Sequence, residues 1–135
     1  MSLFNVFDIS GSALRAQAIR LNTTAGNMAN IDSISSSTAT TYRARQPVFA
    51  AQLDAAEGES GGVEVLGIVE SQAPLRREYR PDHPLADSQG YVNLPNVNPV
   101  EEMANMISAS RSYQSNVEVF NTSKQMLMRT LSLGE

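Results

Sequence analysis

The stretch FDISGSALRAQAIRLNTTAGNM, residues 7–28, decides the fold, because its hydrophobic residues return every seven positions. Phe7, Leu14, Leu21 and Met28 form one row, and Gly11, Ala18 and Ala25 form a second, in alternating steps of four and three. Such spacing is the seam of a coiled coil, here with large residues on one row and small ones on the other. Ile9 and Ile19 lie off that seam. Asn22, Gly26, Asn27 and Asn30 are weak helix formers, yet the rhythm runs through them uninterrupted. Ordering a helix costs on the order of 1 kcal/mol or more per residue in backbone entropy. The four large seam residues return only about 1.5–3 kcal/mol each when fully buried. This helix is therefore marginal unless something packs along its whole length.

A second long helix is expected from residue 99 to about 133. Asn98 is placed to cap it, Pro99 suits its first position, and Glu101 completes an Asn-x-x-Glu capping box. Its seam runs Met103, Met106, Ser110, Tyr113, Val117, Phe120, Lys124, Leu127 and Leu131. Val119, Met126 and Leu133 make another seven-residue row on roughly the opposite side. A helix apolar on two sides is expected to be buried on two sides, more than one intramolecular partner covers.

Between the helices the composition changes. SISSSTATT, residues 33–41, reads as a polar loop, and DAAEGESGG, residues 54–62, as a glycine-rich break. Val63, Val65 and Val69, Leu75–Tyr79 and Tyr91–Leu94 read as short strands punctuated by prolines 74, 81, 84 and 95. The expected fold is mainly α with a small β-rich insert. Residues 1–32 and 98–135 carry the two helices, paired as a coiled coil, and 33–97 form the insert.

Chemistry is sparse. The chain of 135 residues has no cysteine, which excludes disulfides, cysteine–zinc sites and thiol nucleophiles. A net charge of −4 argues against nucleic acid as partner. No apolar run reaches bilayer length, and Asp8 interrupts what would be the core of a secretory signal, so residues alone suggest a cytoplasmic protein. The single histidine, His83, lies with Asp82 and Asp87 between prolines, a pattern that reads as a turn. Arg76, Arg77 and Arg80 read as a solvated strand face, with a patch for an acidic partner as the alternative. No catalytic, cofactor or metal site is expected.

DISGSALRAQAIRLNTTAGNMANIDS, residues 8–33, with its Asn27-Met28-Ala29-Asn30 element, resembles the N-terminal signature of flagellar basal-body rod and hook proteins. RSYQSNVEVFNTSKQMLMRTLSLG, residues 111–134, looks like the matching C-terminal motif. IVESQAP and HPLADSQGYVNLPNV, residues 68–74 and 83–97, are similar to the middle of a proximal rod member. The resemblance implies a structural subunit exported through the flagellar type III channel without a cleaved signal. It would polymerise in the periplasm into a helical tube, the torque-transmitting rod. Implied partners are further copies, the rod proteins FlgB, FlgF and FlgG, the adaptor FliE and the MS-ring region, with no nucleic acid and no membrane insertion. A preformed coiled-coil adaptor or secretion chaperone is the alternative.

The assembly interface expected on this reading comprises Phe7, Leu14, Leu21, Asn27, Met28 and Asn30 on the first helix. On the second it comprises Tyr113, Asn116, Val117, Val119, Phe120, Met126 and Leu127. Asn27, inside the seam rhythm, is read as an assembly contact, and Asn30 equally as a contact or a helix cap.

Overall fold

The computed structural model describes residues 3–53 and 60–134. Two long helices, α1 (Leu3–Ala29) and α2 (Pro99–Leu133), flank four strands: β1 (Arg45–Leu53), β2 (Ser60–Glu70), β3 (Arg76–Tyr79) and β4 (Tyr91–Leu94). Most of the expected glycine-rich break, residues 54–59, lies outside the described residues.

The helices pack side by side and antiparallel. Phe7 meets Phe120 edge-to-face at 5.0 Å, Arg20 reaches Asn105 at 2.9 Å, and Asn27 reaches Glu102 at 3.1 Å. Asn98 caps α2 as its sequence implies, its side-chain oxygen accepting the N–H groups of Val100 and Glu101. Because Phe7 sits opposite Phe120, the last turns of α2 run on beyond the level of Leu3.

Most of the fully buried positions lie one residue from the expected seam, whose Phe7 and Phe120 still meet. On α2 the buried positions are Glu102, Ala109 and Ser123, whereas Met103 and Leu131 are 52% and 65% exposed. On α1, Ser10, Ala16, Thr24 and Asn27 are buried. Ala25 of the expected small row is exposed, and a Cβ added at Gly11 would meet nothing within 4 Å among the described residues. Phe7, Leu14, Leu21 and Met28 flank the contact, half-buried. The reason is geometric: the closest approach of two helix backbones selects small side chains whether or not they are apolar. Apart from Asn27 and Glu102 the fully buried helix positions are hydroxyls and alanines, which hydropathy does not mark.

The insert holds two antiparallel hairpins, β1–β2 and β3–β4, each a two-stranded sheet. The β1 strand, RQPVFAAQL, is not among the expected strands because alanines and Pro47 dilute its β signal. Tertiary pairing overrides that weakness: Arg45 lies opposite Glu70 and Leu53 opposite Ser60, with a bulge at Val48/Phe49. The hairpin rests on α1. Ser12 Oγ donates to the Ile9 carbonyl at 2.8 Å and accepts the Val63 N–H at 3.0 Å. Gly62, at φ 132°, comes so close that a Cβ there would overlap the Ser12 side chain. The buried apolar residues of the insert and its approach to α2 are Val92, Leu94, Pro95, Val97 and Ala44, and those of the helices are Ala16 and Ala109.

Replacing Gly62 by valine forces strain in the backbone and into Ser12 together. The expected loss is about 1–3 kcal/mol in urea unfolding, with the same substitution at Gly67, which faces open space, costing much less. Equal losses at the two positions would rule out hairpin docking through Gly62.

Candidate assembly interface

Asn27, 1% exposed, uses its whole amide inside the chain. Its Nδ2 donates to the Arg45 carbonyl at 2.8 Å and to Glu102 Oε1 at 3.1 Å. Its Oδ1 accepts from the Arg45 N–H and the Tyr42 hydroxyl, both at 2.9 Å. One side chain thus joins the end of α1, the start of β1 and the first turn of α2. Asn27, expected as an assembly contact, has both amide donors and its oxygen engaged within the chain. Asn30 closes α1: its Nδ2 donates to the Gly26 carbonyl at 2.8 Å, satisfying one of the orphan carbonyls at a helix end. Asn116 bonds back to the Ser112 carbonyl at 2.8 Å, and Asn22 is exposed.

Two pKa displacements belong to this cluster. Burial pushes the Glu102 carboxyl above the ordinary glutamate range, against the hydrogen bond from Asn27. Burial likewise raises the Tyr42 hydroxyl, partly offset by Arg45. Arg45 lies over the Tyr42 ring at 5.3 Å and pairs with Glu70 at 3.4 Å.

Several further polar groups of the insert are also engaged within it. Arg76 donates to the Pro95 and Ile31 carbonyls, clasping the exit of α1 to the approach to α2. Arg77 pairs with Asp87 at 2.7 Å and covers the Tyr91 ring at 4.8 Å, while Arg80 pairs with Glu78 at 3.1 Å. These three arginines therefore brace the fold and do not form a free cationic patch. Asp87 accepts the Tyr91 and Gln89 N–H groups, and the Tyr91 bond above all holds its carboxyl below the ordinary range. His83 Nδ1 accepts the Leu85 N–H at 3.1 Å, the turn role its sequence suggests. Among the described residues no group of three or more His, Asp or Glu side chains is placed to hold a metal.

The apolar surface is concentrated on α2. Val119 and Met126, expected on the far side from α1, are 47% and 53% exposed, and Met128, Leu131 and Leu133 are exposed beyond them. Near the other end Val100, Met103 and Ile107 are also exposed. Tyr113 is exposed, whereas Val117, Phe120 and Leu127 are half-buried, Phe120 against Phe7 of α1. Elongated helices with an uncovered apolar row define a subunit shaped for packing against other chains.

Comparison with known proteins agrees with that class. A family model described as flagella basal body rod protein matches residues 7–33, and one described as flagellar basal body rod FlgEFG protein C-terminal matches residues 88–133. The flagellar basal-body rod protein FlgC of Salmonella typhimurium is 55% identical over the full length of both chains. The FlgC proteins of Yersinia enterocolitica and of Buchnera aphidicola subsp. Acyrthosiphon pisum are 54% and 44% identical, again over the whole of each. The chain belongs to the flagellar basal-body rod protein family.

Asn27→Ala strands the Arg45 N–H and carbonyl, the Tyr42 hydroxyl and the Glu102 carboxylate at once. A loss of about 3 kcal/mol is expected, read as a fall of roughly 10 °C in Tm. Asn22→Ala, on the exposed side of the same helix, is expected to stay within about 0.5 kcal/mol.

Proposed function

We propose that this chain is a structural subunit of the flagellar basal-body rod, in which residues 1–32 and 98–135 form the rod core and 33–97 an outward insert. The terminal helices pair as a coiled coil and polymerise with further copies and with FlgB, FlgF and FlgG into the helical, torque-transmitting tube. FliE and the MS-ring region lie at its base, and the subunit reaches the periplasm through the flagellar type III channel without a cleaved signal. Family membership supports the rod role. The single structural observation that carries the assembly reading is the second apolar row of α2. Val119, Met126 and Leu133 recur every seven residues and none is covered by the described residues of the chain itself.

Burial of that row by neighbours accounts for its cost in free solution. Each large side chain removed from water contributes about 1.5–3 kcal/mol at full burial, and the row repeats along a helix of 35 residues. Half-buried Phe7, Leu14, Leu21 and Met28 add a second contact face on α1, continuous with Val117, Phe120 and Leu127. Stiffness follows when long helices are held on two sides, because bending then requires several packed rows to slip together. On this reading Asn116 and Asn30 belong to the assembly interface as well, although each also bonds a carbonyl of its own helix.

Met126→Glu and Val119→Asp separate assembly from folding. Both positions are exposed, so Tm of the purified chain is expected to move by no more than about 2 °C. In a strain lacking its own copy, each variant is expected to be expressed yet absent from isolated basal bodies, with swarming lost. Normal swarming by Met126→Glu would sink the assignment of this row. A discrete, fully helical oligomer of the wild-type chain in dilute solution would favour the adaptor reading instead.

A further inference from the structure

The insert holds a polar cleft of about 380 Å³ lined by no residue of either helix. Ser36, Ser37 and Thr38 of the loop after α1 form one wall, and Arg77 of β3, Asp87 and Asn93 of β4 form the other. Asn93 is 9% exposed, yet its side-chain amide makes no hydrogen bond among the described residues. The amides of Asn27 and Asn96, by contrast, are both filled from within the chain. A buried amide left unpaired works against folding, so one kept at the wall of a cleft points to a ligand that pairs it.

Other groups around Asn93 are uncommitted too. Ser36 and Thr38 are exposed, and their hydroxyls make no hydrogen bond among the described residues. Ser37 Oγ accepts the Ala39 N–H at 3.2 Å and keeps its own hydrogen to donate. Arg77 commits one N–H to Asp87, at 2.7 Å, and its guanidinium carries others. Arg77 lies opposite Asn93 and Tyr79 opposite Tyr91, so all four share one face of the hairpin. The Tyr79 ring is therefore the next feature along that face, and the residue is 62% exposed. Gly90 supports it so closely that a Cβ there would lie 2.8 Å from Tyr79 Cε2, and Tyr91 meets it edge-on at 5.3 Å.

The character of the ligand follows from these groups. Arg77 and Asp87 neutralise one another, which disfavours an inorganic anion and a metal cation alike. The β4 edge is closed at Asn93, whose carbonyl accepts the Ser35 N–H at 3.2 Å, which disfavours an added peptide strand. What fits is an uncharged molecule with several hydroxyl or amide groups at one end and an apolar ring face at the other. We propose that this cleft binds a neutral disaccharide unit, Asn93, Ser36 and Thr38 hydrogen-bonding one sugar and Tyr79 stacking on the next.

The test titrates the ¹⁵N-labelled full chain, followed by amide NMR, with cellobiose, which offers hydroxyls alone, and with N,N′-diacetylchitobiose, which adds acetamido groups. At least one sugar is expected to shift the Asn93 side-chain resonances and the backbone amides of Ser36, Ser37 and Thr38, saturating with Kd of about 1 mM. Asn93→Val is expected to weaken that binding about tenfold or more. Its Tm is expected to fall by no more than about 2 °C, because the amide removed bonds nothing within the chain. Should Asn93→Val fail to fold, the double substitution Ser36→Ala, Thr38→Val, at exposed positions, takes its place with the same expected loss of binding. Absence of a saturable shift with either sugar up to about 20 mM overturns the saccharide site, as does unchanged affinity in the variant that folds. Shifts at these residues with inorganic phosphate or an acetylated strand peptide, and with neither sugar, overturn it as well and assign the cleft to that ligand. No helix residue takes part, so sugar binding and rod assembly stand or fall separately.

Discussion

The buried amide of Asn27 is the constraint on which the rest of this fold depends. A primary amide offers two donors and one accepting oxygen, and here all are engaged, by Arg45, Glu102 and Tyr42. Those partners belong to elements separated by as many as 75 residues in the chain. An apolar side chain at this place would leave a strand's first backbone groups, a phenol and a carboxylate without partners in the interior. Asn96 repeats the device nearby, its Oδ1 accepting the Ala44 N–H and its Nδ2 reaching the Ser71 and Ala73 carbonyls. Polar ties, more than apolar volume, join the insert to the helices.

The helix pair follows the same economy. Its centre line is Ser10, Thr24, Ala109 and Ser123, side chains that permit close approach and bury little apolar area. Such an interface holds two helices in register without satisfying their hydrophobic residues, which are left flanking or facing outward. Gln17 belongs to this polar line too, and its buried Oε1 finds no partner among the described residues. A modest intramolecular contact beside an uncovered apolar row suits a subunit that gains its full burial from neighbours.

Inside the insert, ionic groups serve geometry. Asp87 organises the turn between β3 and β4 by accepting two backbone N–H groups and anchoring Arg77, while Gly90, at φ 81°, lets the chain pass under the Tyr79 ring. The exposed ion pairs contribute little energy individually. Their value lies in fixing the register of β3 against β4, whose Val92 and Leu94 are buried.

Sequence alone determined the two helices, the cap at Asn98 and three of the four strands, because these rest on local periodicity, capping chemistry and turn residues. It also placed Val119, Met126 and Leu133 on a face apart from the intramolecular contact, since helical angle follows from position along the chain. Hydropathy could not show that the packed line lies one residue away, on hydroxyls and alanines, since closeness there depends on side-chain size. Nor could it distinguish an asparagine that meets another chain from one that meets Arg45 and Glu102. The β1 strand, the arginine clasps and the Asn27–Glu102 junction were decided by tertiary structure, because each consists of contacts between residues distant in sequence. Their chemistry is complete only once the chain has brought them together.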